Sequence, residues 1–194
     1  PPPPPPHFHP PAPTEIYTFI ASSAASDVYK RQILFPPEQL ANLYVGPLDF
    51  TPAGQPISLV DFCAPDYERF PKFREALETA QMAVLDPGDA IIVPSMWWHH
   101  MEALEAFNVL VNYWWRDTPS FMGPPLSALQ HAILSIRDLP EAQRKQWREL
   151  FDYYVFNADA ENFEHIPPVA RGVLNPIDEQ TARQMRKMLR DKLL

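Results

Sequence analysis

His99 and His100 are the residues of this chain best equipped for chemistry. A neutral imidazole is the commonest side-chain ligand for a metal ion, and near neutral pH it also carries protons. The pair stands in Met96-Trp97-Trp98-His99-His100-Met101. Side chains of an extended strand alternate between its two faces. Trp97, His99 and Met101 therefore share one face, and Met96, Trp98 and His100 the other. His99, between a tryptophan and a methionine, has the setting of a metal ligand in an apolar pocket. His100 reads most simply as packing or as support for its neighbour. A histidine beside tryptophans is also commonly a satisfied core residue, so spacing alone leaves both roles open. Glu102 makes a His-x-Glu with His100, but strand and turn are expected to separate that pair, and it is discounted.

The elements around the histidines are legible. Pro87-Gly88-Asp89 is a turn signal. Ala90-Ile91-Ile92-Val93, closed by Pro94, is a short run rich in β-branched residues and reads as a buried strand. A polar break at Glu102–Glu105 precedes a second strand, Phe107-Asn108-Val109-Leu110-Val111-Asn112-Tyr113-Trp114-Trp115. Leu110, Asn112 and Trp114 share one of its faces, and Val109, Val111, Tyr113 and Trp115 the other. An amide at Asn112 between large apolar groups needs partners, since an unpaired buried polar group costs about 1–3 kcal/mol. A bound ligand can supply them.

Upstream, Ile33–Phe35 is expected to be a short strand, Glu38–Leu43 a helical turn and Tyr44–Gln55 a loop punctuated by Gly46-Pro47 and Pro52-Ala53-Gly54. Ile57–Phe62 is expected to be extended, Pro71–Thr79 helical and Gln81–Leu85 a strand. From Pro124 onward the pattern turns helical. Leu126, Leu129, Ile133 and Ile136 recur at three- and four-residue steps, as do Trp147, Leu150, Phe151, Tyr154 and Val155 within Glu141–Phe156. A last helix covers Asp178–Leu193 and ends basic, which suits its dipole.

Composition excludes several classes. The 194 residues are 46% hydrophobic and 12% aromatic, enough for one packed core by the length prior. A net charge of −8 argues against a DNA-binding footprint. No apolar run reaches the roughly 18–20 residues of a membrane span, so no membrane association is expected. The single Cys63 cannot form an internal disulfide, which fits a reducing compartment, the cytoplasm. It reads as a small buried or half-buried apolar group.

The chain from about Ile33 onward resembles the cupin-like branch of the JmjC family, which includes asparaginyl hydroxylases. The resemblance rests on Leu34-Phe35-Pro36-Pro37-Glu38-Gln39 with Leu43-Tyr44, then Pro65-Asp66-Tyr67-Glu68-Arg69-Phe70-Pro71, Pro87-Gly88-Asp89, Trp97-Trp98-His99-His100 and Val111-Asn112-Tyr113-Trp114, in the family's order. It implies a mainly β fold with α: a partial double-stranded β-helix, the jelly-roll cupin barrel, over 33–122, followed by a helical C-terminal region over 123–194. It also implies Fe(II) held by two histidines and a carboxylate, with 2-oxoglutarate and O2 as cosubstrates. By position in the family, His99 is the distal histidine ligand, Met101 lines the pocket, and Asn112 and Trp114 lie close to 2-oxoglutarate and the iron.

The family's first two ligands form a His-x-Asp or His-x-Glu ahead of the Leu-Phe-Pro-Pro segment. Here residues 1–32 precede it, with His7-Phe8-His9-Pro10 and the acids Glu15 and Asp27, none at the required offset. Six opening prolines favour polyproline II and form no ladder hydrogen bonds, so no ligand-bearing central strand is expected there. Asp27-Val28-Tyr29-Lys30-Arg31-Gln32 resembles the translation of a transposase end sequence used in preparing sequencing libraries. Residues 1–32 are therefore expected to be a non-native or disordered Pro-rich join ahead of a truncated gene; a natural Pro-rich linker is the alternative. In the family, a lysine several residues before Phe-Pro-Pro binds the 2-oxoglutarate carboxylate. Lys30 falls near that position, and under the chimeric reading it does so by chance.

The expectation for function is a fragment of an Fe(II)/2-oxoglutarate-dependent hydroxylase, inactive as given for want of the His-x-acid pair. The alternative is a non-catalytic cupin-like module that binds a small ligand or peptide. A cupin metalloenzyme of another kind, such as an isomerase, is a third option. The substrate is expected to be a small molecule or a protein side chain. The aromatic stripe Trp147, Phe151 and Tyr154 suggests a homodimer through the C-terminal helices, or simply packing on the barrel. His131 and His165 read as structural.

Overall fold

The computed structural model describes residues 17–21, 30–48, 55–86, 88–104, 110–114 and 118–193, with backbone alone for 17–21, 112 and 114. It divides into two compact units, Pro1–Asp117 and Thr118–Leu194.

Among the described residues, six antiparallel strands build the first unit: β1 (Tyr17–Ala21), β2 (Lys30–Phe35), β3 (Gln81–Leu85), β4 (Ala90–Pro94), β5 (Trp98–Ala103) and β6 (Val111–Trp114). They form two three-stranded sheets, ordered β4-β1-β6 and β3-β2-β5. In chain order, β4, β5 and β6 alternate between the sheets, the winding that makes a jelly roll from two facing layers. Leu34 of β2 and Val93 of β4 bury each other across the gap, with Ile91, Trp97 and Leu110 around them.

The Gln81–Leu85 and Ala90–Val93 strands fall where the alternation and the turn signal place them, the second extended by Pro94. Gly88 holds the connecting turn at φ 91°, and Asp89 N–H donates to the Asp86 carbonyl at 3.0 Å. That backbone region is open to glycine and strained for most other residues. Pro87 lies outside the described residues.

Several expectations are corrected. The first concerns residues 1–32, where no ladder strand is expected. The structure runs β1 through Tyr17–Ala21, and at the centre of its sheet. Tyr-Thr-Phe-Ile is rich in strand-forming residues once the prolines end. β2 likewise starts at Lys30 rather than Ile33. Met96 is not a strand residue. It sits at φ 64° in the turn after β4 and is 79% exposed, so the strand face begins at Trp98. Ile57–Phe62 forms an isolated bridge, Val45 with Ser58, instead of a strand. Gly46 permits that bridge, because a Cβ there would meet the Leu59 side chain at 3.0 Å and the Ile57 carbonyl at 3.3 Å.

The main core lies behind the β3-β2-β5 sheet. Phe35, Leu43, Val60, Phe70, Phe73 and Ala76 are buried together, with Ile33, Phe62, Tyr67 and Trp98 packed around them. Phe73 and Ala76 come from helix α1 (Phe73–Glu78), three residues apart and hence on one helical face. The approach to α1 is held by Asp66, whose carboxylate accepts from the Glu68 and Arg69 N–H groups at 3.1 Å. Tyr44 Oη accepts from Lys72 N–H at 3.0 Å.

The second unit carries helices α2 (Pro125–Ile136), α3 (Glu141–Phe151) and α4 (Glu179–Leu193), as the three- and four-residue spacing predicts. A π-helical turn, Asp152–Phe156, continues α3, and short 3-10 turns lead to α4. Asp178 caps α4 by accepting from Thr181 N–H at 2.7 Å. Tyr153 Oη donates to the Asn162 carbonyl at 2.9 Å, and Tyr154 stacks on Phe163. Among the described residues of this unit, Phe163 and Ala182 are buried. The expected stripe stays partly open: Trp147 and Tyr154 are 44% and 46% exposed.

Candidate functional site

β2 and β5 are hydrogen-bonded neighbours, and directly paired residues of an antiparallel ladder share a face. Leu34 pairs with His99, Gln32 with Met101 and Lys30 with Ala103. On the other side of β2, Gln32 pairs with Ala83 and Lys30 with Leu85. Lys30, Gln32, Leu34, His99 and Met101 thus line one face, the one that Leu34 turns toward Val93 and the opposite sheet. The structure brings Lys30, His99 and Met101 onto this face together, three of the residues that the sequence proposes for cofactor or metal. Asn112 and Trp114 lie on β6, in register with Ile20 and Thr18 of β1; their side chains are outside the described part.

The face changes along its length. Lys30 is 1% exposed and Gln32 is 0% exposed. Met101 is half-buried and His99 exposed. A lysine so buried loses hydration of its charged form, and burial holds the Lys30 ammonium below the ordinary lysine range. Between that lowered value and the usual value of about 10.4, the unfolded chain binds a proton that the folded chain has released. Stability is therefore expected to rise with pH through that window, the cost of Lys30 being fully felt below it. Melting curves in alkaline buffers check this: Lys30→Met, which has no charge to titrate, is expected to flatten the rise.

Gln32 is the residue that the sequence does not offer. Among the described residues, neither its Nε2 nor its Oε1 finds a hydrogen-bond partner, although the side chain is wholly enclosed. The signal for it is the alternation Lys30-x-Gln32-x-Leu34 leading into Phe35-Pro36-Pro37, visible once the strand is known to start at Lys30.

The reverse face has another character. His100 stacks flat on Phe62, with ring centroids 4.5 Å apart and planes 4° from parallel, which accords with a packing role. Glu102 lies on β5 two residues after His100 and so on the same face, which corrects the expectation that a turn separates the pair. The β-ladder with Arg31 extends β5 through the supposed polar break. The Glu102 carboxylate meets the Arg31 guanidinium at 3.2 Å, a half-exposed pair that reports register more than it adds stability. A cavity of about 400 Å3 opens here, walled by Phe35, Leu43, Val60, Phe62 and Trp98 and reaching the two histidines. Cys63, expected to be at least half-buried, is exposed, because it sits in the loop turn where Asp61 accepts from its N–H. His131 and His165 are exposed in the second unit.

The fit to a metal and to an anion differs. Among the described residues, no three His, Cys, Asp or Glu side chains stand close enough to hold a metal ion together. His99 alone does not make an iron site, and His7, His9, Glu15 and Asp27 lie outside the described residues. The Lys30 end of the same face does suit a carboxylate, with a buried ammonium beside a buried amide that has no partner. No helix among the described residues is long and apolar enough to cross a membrane.

Comparison with known proteins agrees with this geometry. Residues 29–121 match the model of the cupin-like domain, so Lys30 and Gln32 fall inside the matched segment. HSPB1-associated protein 1 of Bos taurus is 36% identical over 85 residues, 44% of this chain and 17% of that protein. The tRNA wybutosine-synthesizing protein 5 of Danio rerio is 34% identical over 91 residues, 47% of this chain and 25% of that protein. Lysine-specific demethylase 8 of Xenopus tropicalis is 38% identical over 58 residues, 30% of this chain and 12% of that protein. The chain thus spans a quarter or less of the length of these relatives. The matched segment, a little under half of the chain, is thus similar to a cupin-like domain, and the two antiparallel sheets and the Trp-Trp-His-His strand agree with that match.

Proposed function

We propose that this cupin-like domain serves an Fe(II)- and 2-oxoglutarate-dependent oxygenase that hydroxylates its substrate. The observation that carries the reading is that the exposed His99 and the buried Lys30 stand on one face of the β3-β2-β5 sheet, the face turned toward the opposite sheet. Lys30 would hold a carboxylate of 2-oxoglutarate, and His99 would be one of three iron ligands. Met101 lines the wall between them, with Asn112 and Trp114 proposed to complete the pocket from β6. Iron and 2-oxoglutarate together would supply the oxidation, one atom of O2 going to the substrate and one to succinate as CO2 leaves. The protein side supplies the carboxylate anchor and a walled pocket that limits water.

No His-x-Asp or His-x-Glu precedes the Leu-Phe-Pro-Pro segment, so the chain by itself is expected to hold iron weakly and to be inactive. Titration of the purified chain with Fe(II) under anaerobic conditions is expected to show no stoichiometric binding at micromolar concentration; tight one-to-one binding would contradict this. 2-Oxoglutarate is expected to raise the melting temperature of the same chain, and Lys30→Met to abolish that shift.

A second reading, a ligand-binding module without redox chemistry, is favoured by the cavity behind β5, whose walls are mainly apolar and aromatic. It requires binding that survives both His99→Ala and Lys30→Met. The net charge of −8 favours a small molecule or a protein side chain over nucleic acid as substrate. One exposed cysteine without a disulfide suits the cytoplasm. The open aromatic stripe of Trp147 and Tyr154 suits a homodimer. Sedimentation at micromolar concentration is expected to show a dimer that Trp147→Glu dissociates, and a monomer in the unmodified chain would reject it.

A further inference from the structure

Gln32 is a wholly buried carboxamide whose donor and acceptor both lack a partner among the described residues. Buried amides almost always find partners, so an exception calls for a cause. Packing does not provide one. Its neighbours across the ladder on the same face are Ala83 and Met101, and a leucine or methionine would sit among them without any polar cost. The position supplies the cause. Lys30, Gln32 and Leu34 follow one another along the same face of β2, each about 6.6 Å from the last, and Leu34 pairs with His99. The amide therefore stands midway between a buried ammonium and the row of the histidine. A ligand reaching along β2 from Lys30 toward the His99 row would have to pass it.

We propose that Gln32 is a cofactor contact, its Nε2–H donating to an oxygen of 2-oxoglutarate on the His99 side of the carboxylate held by Lys30. The inference rests on the 2-oxoglutarate reading above and takes Gln32, which lies inside the segment matched to the cupin-like domain, as native rather than as part of a chimeric join. A dianion has no proton to give, so Oε1 is left to a water that enters with the ligand. Gln32 then sets the tilt and reach of the ligand rather than its charge, and without ligand the fold carries the cost of the open amide. Filling the position with an apolar side chain trades binding for stability.

The test uses the 194-residue chain and three variants, Gln32→Leu, Gln32→Met and Lys30→Met, with 2-oxoglutarate as the probe. Melting temperature without ligand and affinity by calorimetry are the readouts. Gln32→Leu and Gln32→Met are expected to melt about 2–4 °C higher than the unmodified chain when no ligand is present. Both are expected to bind 2-oxoglutarate about tenfold more weakly, the loss of one hydrogen bond to a charged acceptor. If both bind within twofold of the unmodified chain while Lys30→Met does not bind, the Gln32 assignment falls and the 2-oxoglutarate reading stands. If the unmodified chain shows no binding at millimolar 2-oxoglutarate, both fall.

Discussion

Phe73→Ala is expected to destabilise the chain by about 3–5 kcal/mol, the usual cost of emptying a phenylalanine site in a packed core. Phe73 is 0% exposed and sits at the centre of the main core. Its ring meets Phe62 edge-on at 5.2 Å, Phe35 at 6.2 Å and Tyr67 at 6.5 Å. These partners come from β2 and from the loop between the Val45–Ser58 bridge and α1, so no single segment can close the cavity by shifting. Aromatic pairs of this kind add about 0.5–1.5 kcal/mol beyond area burial. Against a total stability of about 5–15 kcal/mol the loss is a large fraction. Chemical denaturation monitored by tryptophan fluorescence checks it. Phe156→Ala, at a site 73% exposed, serves as the control and is expected to stay within about 0.5 kcal/mol of the unmodified chain.

His99→Ala and His100→Ala are expected to have opposite signatures. His99 is exposed on the Lys30 face, so its removal is expected to change stability by no more than about 0.5 kcal/mol. If it is an iron ligand, turnover of 2-oxoglutarate by a form of the protein with a complete iron site is expected to fall by about a hundredfold or more, since losing even an outer hydrogen-bond partner of a ligand costs about 10–100-fold. His100 faces the other way and lies flat on Phe62. Its removal is expected to cost about 1 kcal/mol of stability and to leave turnover within severalfold. Paired measurement of melting temperature and turnover separates the two residues. Loss of turnover through His100 with His99 dispensable would reverse the assignment of the faces and remove the metal role from His99.

Much of the barrel was legible because its signals are short-range. The Pro-Gly-Asp turn, the β-branched run at Ala90–Val93 and the helical spacing of α2, α3 and α4 are each decided within a few residues, and each formed where the pattern places it. The alternation of Trp97, His99 and Met101 against Trp98 and His100 held for the same reason: a strand has a period of two, whatever it pairs with. The order of the family motifs likewise pointed to a cupin-like domain before any contact was known.

Sequence alone thus determined the fold class, the turn and the two faces of the histidine strand, all local properties of the chain. Tertiary structure decided which residues meet across those faces, because register and enclosure depend on partners far away in sequence. It placed Lys30 and Gln32 of β2 on the face of His99, nearly seventy residues later, and left the Gln32 amide without a partner. It put β1 between β4 and β6, although nothing in Tyr17–Ala21 names its neighbours. It joined Glu102 to the His100 strand through a ladder with Arg31, and it left Cys63 in the open. Burial is a property of the whole packed unit, so a local reading of residue type can name a lysine and a histidine but cannot say which of them lies in the dry interior.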